Sequence, residues 1–214
     1  DGLFARDGTL APRAEQAGLL PRGGRLLVDD AHGFGVVGER GRGSPSYAGV
    51  HSPRLIHSIT LSKALGVFGG AVLGTRSFTA QVRARSGMFG GSTPMPLPLV
   101  GAALAALRVL RLDEVRRRRL AENTAYVKNA LRRSGISLPE TPAPIVAVRV
   151  KGQPARIVPF RRHLLANGIH VTRSRYPGGP PPDCFRFVLA SEHQQEHLDR
   201  LVNALMSFGG LEAV

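Results

Sequence analysis

The 214-residue chain has no tryptophan, one cysteine and three lysines, and each scarcity narrows what it can be. Cys184 has no second cysteine to pair with, so no internal disulfide staples the fold and nothing points to an oxidising compartment. Aromatic residues make up 6% of the chain, and none alternate with basic ones as a base-stacking platform requires. No apolar run is long enough to cross a bilayer. The opening Asp1-Gly2-Leu3-Phe4 lacks the pattern of a signal peptide and, starting on Asp instead of Met, reads as a fragment or a processed product. The expectation is a cytoplasmic protein without a membrane span. Acidic residues are missing altogether between Glu39 and Asp113, where Arg40, Arg42, Arg54, Lys63, Arg76, Arg83, Arg85, Arg108 and Arg111 all fall. So one-sided a stretch suits an anionic small ligand, although a general preference for arginine accounts for it equally well.

The net charge of +14 raises the question of nucleic acid. The excess is arginine scattered along the chain. Its densest run, Arg116 to Arg119, lies in a helical pattern between Leu112 and Leu131 and reads as a solvated face. No nucleic-acid partner is expected. Hydrophobic content of 43% and charged content of 21% are those of an ordinary globular protein, with enough chain for one large domain or two small ones.

Periodicity and turn residues predict a short helix over Leu10–Leu20 and a buried parallel strand over Arg25–Asp29. A glycine-rich loop follows from Gly33 to Ser46. Strands are predicted over Leu55–Leu61 and Gly70–Gly74, with Lys63 in the connection between them. A helix near Phe78–Arg85 and a proline-punctuated loop, Ser92–Pro98, come next. Helical periodicity then runs from Leu99 to about Arg133. Beyond it the pattern gives a strand over Ile145–Val150, a helix over Ile157–Ala166, an edge strand over Gly168–Thr172, a strand over Phe185–Ala190 and a terminal helix over Glu192–Met206. This order predicts an α/β first part, residues 1–111, and a smaller α+β second part, residues 112–214.

Three motifs compete. Gly33-Phe34-Gly35-Val36-Val37-Gly38 matches G-x-G-x-x-G after a strand. It runs into Glu39-Arg40-Gly41-Arg42-Gly43-Ser44-Pro45 and not into a helix, and the acid for a ribose is missing, so a dinucleotide site fails. His193-Gln194-Gln195-Glu196-His197 matches H-x-x-E-H, but no separate helix remains to supply a third zinc ligand, and no metal site is expected.

The third pattern joins Val28-Asp29-Asp30-Ala31-His32-Gly33 to Thr60-Leu61-Ser62-Lys63-Ala64-Leu65-Gly66 about thirty residues later. An acid at the C-terminal end of a strand can hold a protonated pyridine nitrogen, which turns such a ring into an electron sink. A histidine three positions on can reach the ring's phenolic oxygen. A lysine in an apolar, glycine-flanked turn is suited to forming a Schiff base. Thr60 can offer its hydroxyl to a phosphate. Taken singly, Asp29 or Asp30 could merely cap a loop, His32 could be a loop histidine and Lys63 a surface lysine. The combination is far more specific than its members.

Val28 to Gly43 and Thr60 to Gly70 resemble the two signature segments of the α-oxoamine synthases, enzymes that use pyridoxal 5'-phosphate (PLP). Supporting matches run along nearly the whole chain: Asp1 to Gly8, Gly91 to Pro96, Val171 to Arg175, Phe185 to Phe187 and Ser191 to His193. The resemblance implies the C-terminal half of a fold-type I PLP-dependent transferase, with part of the large domain followed by the small α+β domain. By the same resemblance Lys63 is the Schiff-base lysine and proton carrier, Asp29 the partner of the pyridine nitrogen, His32 the ring-oxygen contact and Thr60 a phosphate ligand. Thr93, with Ser92, reaches the phosphate held by the other subunit of a homodimer. Arg175 takes the amino-acid carboxylate, a task for paired guanidinium donors, with Arg173 as the alternative register.

The activity so implied is condensation of an amino acid with an acyl-CoA or acyl-carrier thioester. An aminotransferase-like relative, or an inactive truncated or partner subunit, is the alternative. Two departures stand out. Arg175-Tyr176-Pro177-Gly178 replaces the R-P-P-T that one branch of the family carries, and family members run to about twice this length. By the resemblance, the N-terminal half of such an enzyme would hold the histidine stacked on the ring and the loop and helix N-terminus that cradle the phosphate. Replacing Arg40 and Arg42 by glutamine is expected to raise the Michaelis constant for a phosphate-bearing acyl donor in steady-state kinetics; an unchanged constant removes them from donor binding.

Overall fold

The computed structural model describes residues 1–152, 154–171, 173–174 and 184–214. The chain divides into two compact units, Asp1–Phe4 with Leu10–Glu114, and Ala5–Thr9 with Val115–Val214.

In the first unit the elements are α1 (Arg13–Gly18), β1 (Leu26–Asp29), α2 (Ser44–Tyr47), β2 (Leu55–Thr60), β3 (Gly70–Leu73), α3 (Arg76–Arg85) and α4 (Leu97–Leu112). β1 runs parallel to β2, with Leu26 opposite Leu55 and Asp29 opposite Ser58. β3 returns antiparallel on the far side of β2, with Thr60 opposite Gly70. The return needs no crossover because residues 61–69 close on themselves: Leu61 N–H donates to the Gly69 carbonyl at 2.9 Å and Val67 N–H to the Leu61 carbonyl at 2.9 Å. Gly66 (φ 63°) and Gly69 (φ 124°) take backbone angles that a side chain disfavours. Inside this loop Leu61, Leu65 and Val67 turn inward and form a core with Ile59 and with Ala103 of α4, against which Phe34, Leu99, Leu107 and Leu110 pack. The loop that carries Lys63 is therefore seated on a helix. β1 is parallel as expected but buries only Val28; Leu27, in this edge strand of the three-stranded sheet, is 65% exposed.

The helical periodicity from Leu99 to Arg133 is two helices. α4 ends at Asp113, whose ψ of 84° is extended, and α5 spans Glu114–Arg133. Aspartate's short acceptor favours the position just before a helix, and here it restarts one.

The second unit adds β4 (Ile145–Val150), α6 (Ile157–Ala166), β5 (Arg173–Ser174), β6 (Cys184–Val188), α7 (Gln195–Phe208) and β7 (Leu211–Ala213). Its sheet has the order β5-β6-β4-β7, antiparallel throughout. Phe160, wholly buried, packs edge-on to Phe185 at 4.8 Å and against Phe208 at the same distance, inside a core that α5, α6 and α7 share with β4 and β6. The edge strand begins later than expected. Gly168 (φ 69°) and Ile169 donate back to the Leu165 and Leu164 carbonyls, so these residues terminate α6 and do not enter the sheet. Thr172 lies outside the described residues. β7 is an unexpected strand: after Gly209-Gly210, Leu211 pairs with Val150, and Glu212 meets the Arg149 Nε at 2.5 Å.

Lys128 on α5 is 2% exposed and donates to the Thr141 carbonyl at 2.9 Å, while the Thr141 hydroxyl donates to the Gly8 carbonyl at 2.6 Å. Burial, reinforced by nearby Arg132 and opposed by Asp7, lowers the Lys128 pKa from 10.5 to about 8. Below pH 8 the folded and unfolded chains both carry the proton. Between about 8 and 10.5 the unfolded chain binds more protons, so stability rises with pH. Urea midpoints measured from pH 8 to pH 10 should rise in the native chain, and Lys128→Met should flatten that rise.

Candidate active site

Parallel pairing of β1 with β2 aligns the C-terminal ends of both strands, the end at which open α/β sheets bind ligands. Asp29 is the last residue of β1, and its exposed carboxylate accepts from Ala31 N–H at 3.0 Å. That contact starts a tight turn in which the N–H groups of Gly33 and Phe34 donate to the Asp30 carbonyl at 3.1 and 3.0 Å, carrying the half-buried His32. Thr60 closes β2. Its hydroxyl lies 2.7 Å from the Ser62 hydroxyl and accepts from Ser62 N–H at 3.2 Å, which bends the chain toward Lys63.

Lys63 stands exposed on this turn. Its apolar neighbours Leu61, Leu65 and Val67 face the core beneath it, so in this chain they position the amine without desolvating it. The two motif segments meet directly. Gly35 (φ 80°) passes so close to the lysine turn that a Cβ on it would lie 2.3 Å from the Ala64 Cβ. Thr93 is exposed in the segment leading to α4. Arg175 lies outside the described residues, and the alternative Arg173 is an exposed residue of β5.

One acid that the sequence reading passed over is the most deeply placed polar group of this region. Strand alternation turns Asp29 outward and Asp30 inward, and Asp30 is fully buried. Its Oδ2 accepts from Ser44 N–H at 2.8 Å and lies 2.9 Å from His57 Nε2 on β2. Arg13, also buried, is held below its usual pKa by burial, an effect the Asp30 charge partly offsets. The signal in the sequence was the Asp29-Asp30 pair itself, since consecutive residues of an extended segment point to opposite faces.

The competing motifs have local roles. No helix opens at Gly33–Gly38, where Gly35 N–H donates to the Gly41 carbonyl at 2.7 Å and the chain loops back. His197 is the third helical residue of α7, and its Nδ1 accepts from Gln194 N–H at 3.1 Å in a capping box. His193 Nδ1 accepts from Ala190 N–H at 3.2 Å. The H-x-x-E-H pattern is thus a helix start, and no cluster of metal-ligating residues occurs among the described residues.

The model of the family Aminotransferase class I and II matches residues 1–205, and the chain belongs to that family. Within it, the chain is 39% identical over 215 residues to an 8-amino-7-oxononanoate synthase of Geotalea daltonii, covering 98% of this chain and 54% of that protein. It superposes on the crystal structure of an 8-amino-7-oxononanoate synthase from Francisella tularensis with a TM-score of 0.82 and 26% identity, over 97% of this chain and 60% of the other. A lysine-to-alanine variant of a serine palmitoyltransferase from S. paucimobilis, with a bound PLP–myriocin aldimine, gives a TM-score of 0.86 and 26% identity, over 97% of this chain and 53% of the other. These likenesses bear out the resemblance to α-oxoamine synthases and the fold-type I PLP transferase architecture. The chain spans about half the length of the curated relatives it matches.

Because Gly35 combines a positive φ with a close approach to Ala64, Gly35→Ala should cost about 2 kcal/mol or more, read as a fall in the urea midpoint.

Proposed function

We propose that this chain is the C-terminal half of a PLP-dependent C-acyltransferase of the α-oxoamine synthase type, resembling 8-amino-7-oxononanoate synthase. The observation that carries the proposal is the meeting of the two motif segments at one end of the β1–β2 pair, with Gly35 against Ala64. The first unit corresponds to part of the PLP-binding domain and the second to the small domain.

The residues present fit PLP. An outward carboxylate at a strand end, Asp29, suits the pyridine nitrogen. Lys63, an exposed residue of the turn, suits the aldehyde carbon with its amine. The Thr60 and Ser62 hydroxyls, paired at 2.7 Å, would supply hydroxyl contacts to a phosphate. When bound, PLP supplies an electron sink for negative charge at the substrate's Cα. Asp29 keeps the pyridine nitrogen protonated, and His32 donates to the ring oxygen. Lys63 would hold the cofactor's aldehyde carbon with its amine and, as a base, would take the Cα proton of the amino acid on its Nζ. Arg175 binds the amino acid's carboxylate, which fixes the direction of the Cα–H bond.

The acyl donor is an acyl-CoA or acyl-carrier thioester, drawn by the acid-free stretch from Arg40 to Arg111. Thr93 serves the phosphate of a second copy in a homodimer, and the enzyme works in the cytoplasm; among the described residues no helix is long and apolar enough to cross a membrane.

Incubating the chain with PLP, reducing with borohydride and mapping peptides by mass spectrometry should place the label on Lys63. Lys63→Ala should take no label. A label spread over Lys128 and Lys151, or none in the native chain, removes the reading.

A further inference from the structure

We propose that Asp30 and His57 are positioning residues for the Lys63 site: the buried carboxylate fixes the imidazole, and the imidazole, through Phe34, sets where the lysine turn stands relative to Asp29. The proposal rests on the reading of Lys63 as the cofactor-bearing residue.

Asp30 is tied by backbone and side chain to two other parts of the chain at once, β2 and the start of α2. Asp30 N–H continues the parallel ladder by donating to the Ser58 carbonyl at 2.8 Å. Oδ2 accepts from Ser44 N–H at the start of α2 and pairs with His57 on β2. The loop between Ala31 and Gly43 thus leaves and returns at one side chain. Three glycines close on it: a Cβ on Gly2, Gly33 or Gly43 would lie 2.4, 2.2 or 1.9 Å from a carboxylate oxygen. No other residue type fits there with Asp30 in place, so the loop that bears His32 is shaped around this group. Because Asp29 and Asp30 are consecutive, whatever holds one inward aims the other outward.

From Asp30 the contacts continue to the lysine. The His57 ring stands edge-on to Phe34, with centroids 6.5 Å apart and planes at 74°. Phe34 packs against the core that Leu61, Leu65 and Val67, the residues that flank and seat Lys63, form with Ile59 and Ala103. His57 therefore holds two points of the acid segment, Asp30 by a ring nitrogen and Phe34 by its edge, and reaches the lysine loop only through the core that Phe34 packs against.

A bulk structural role predicts a different outcome from a positioning role. Asp30 Oδ1 has no hydrogen-bond partner, nor do Ser44 Oγ and Arg13 Nε nearby. A buried charge held through one oxygen is poor value for stability alone, because an apolar core is usually as stable or more so.

The test uses His57→Leu, which removes the hydrogen bond, and His57→Gln, which keeps a donor near Asp30. Hydrogen exchange by mass spectrometry is read in peptides 31–38 and 60–69, with α4 as the reference within the same unit, and PLP is titrated into each variant by fluorescence. His57→Leu should speed exchange in both loops roughly tenfold relative to α4 and weaken PLP binding by a similar factor, as expected for losing one hydrogen bond to a buried charge. His57→Gln should restore both to within about twofold. Equal behaviour of the two variants, exchange rising as much in α4 as in the loops, or no change in either measure overturns the proposal. Should His57→Leu fail to fold, Phe34→Leu replaces it. It leaves the Asp30–His57 pair intact and should speed exchange in 60–69 alone; no such change is equally fatal. If the native chain takes no PLP label at Lys63 the functional reading fails, while the exchange measurements still decide whether the pair positions the turn.

Discussion

The pairing register of two short parallel strands is the constraint on which the site depends. With Asp29 opposite Ser58, the acid motif and the lysine motif leave the sheet side by side. A slip of one residue would turn Asp29 inward and Asp30 outward, moving the buried carboxylate into solvent and the exposed one into the core. The register is held from both sides: by the apolar seat of the lysine loop on α4, and by the Asp30 carboxylate with its glycine cover. Geometry that matters chemically is thus maintained by groups that do no chemistry.

The second unit is organised by different means. Its core is aromatic and aliphatic, centred on Phe160, Phe185 and Phe208, and its polar features are mostly terminators. His193 and His197 start α7, and Gly168 with Ile169 ends α6. Lys128 is the exception, a buried cation satisfied by the Thr141 carbonyl and hydroxyl. Residues that resemble a zinc motif or a surface charge when read in sequence prove to be devices for closing backbone hydrogen bonds. The arginine run behaves as a solvated face, with Arg116 paired to Glu192 at 2.9 Å and Arg118 to Glu122 at 3.7 Å.

Most helices and strands were legible because their signals are local. The helix over Ile157–Ala166 and the strand over Ile145–Val150 follow from apolar spacing alone. What escaped was decided by neighbours. The break at Asp113 interrupts a periodicity that continues on either side. The edge strand starts late because Gly168 was needed as a helix terminator. The three-residue β7 is too short to announce itself and exists through its pairing with β4.

The sequence by itself determined the family: a lysine in an apolar, glycine-flanked turn, an acid and a histidine three apart after a strand, and the resemblance these carry. Those are properties of residue type and spacing, which need no coordinates. Tertiary structure decided which of two adjacent aspartates faces outward, and that His57, 27 residues from Asp30 and far from Phe34 in sequence, meets both. Burial and cross-strand contact are long-range properties, and no local pattern around His57 distinguishes an imidazole at a strand centre from one packed against a hidden carboxylate.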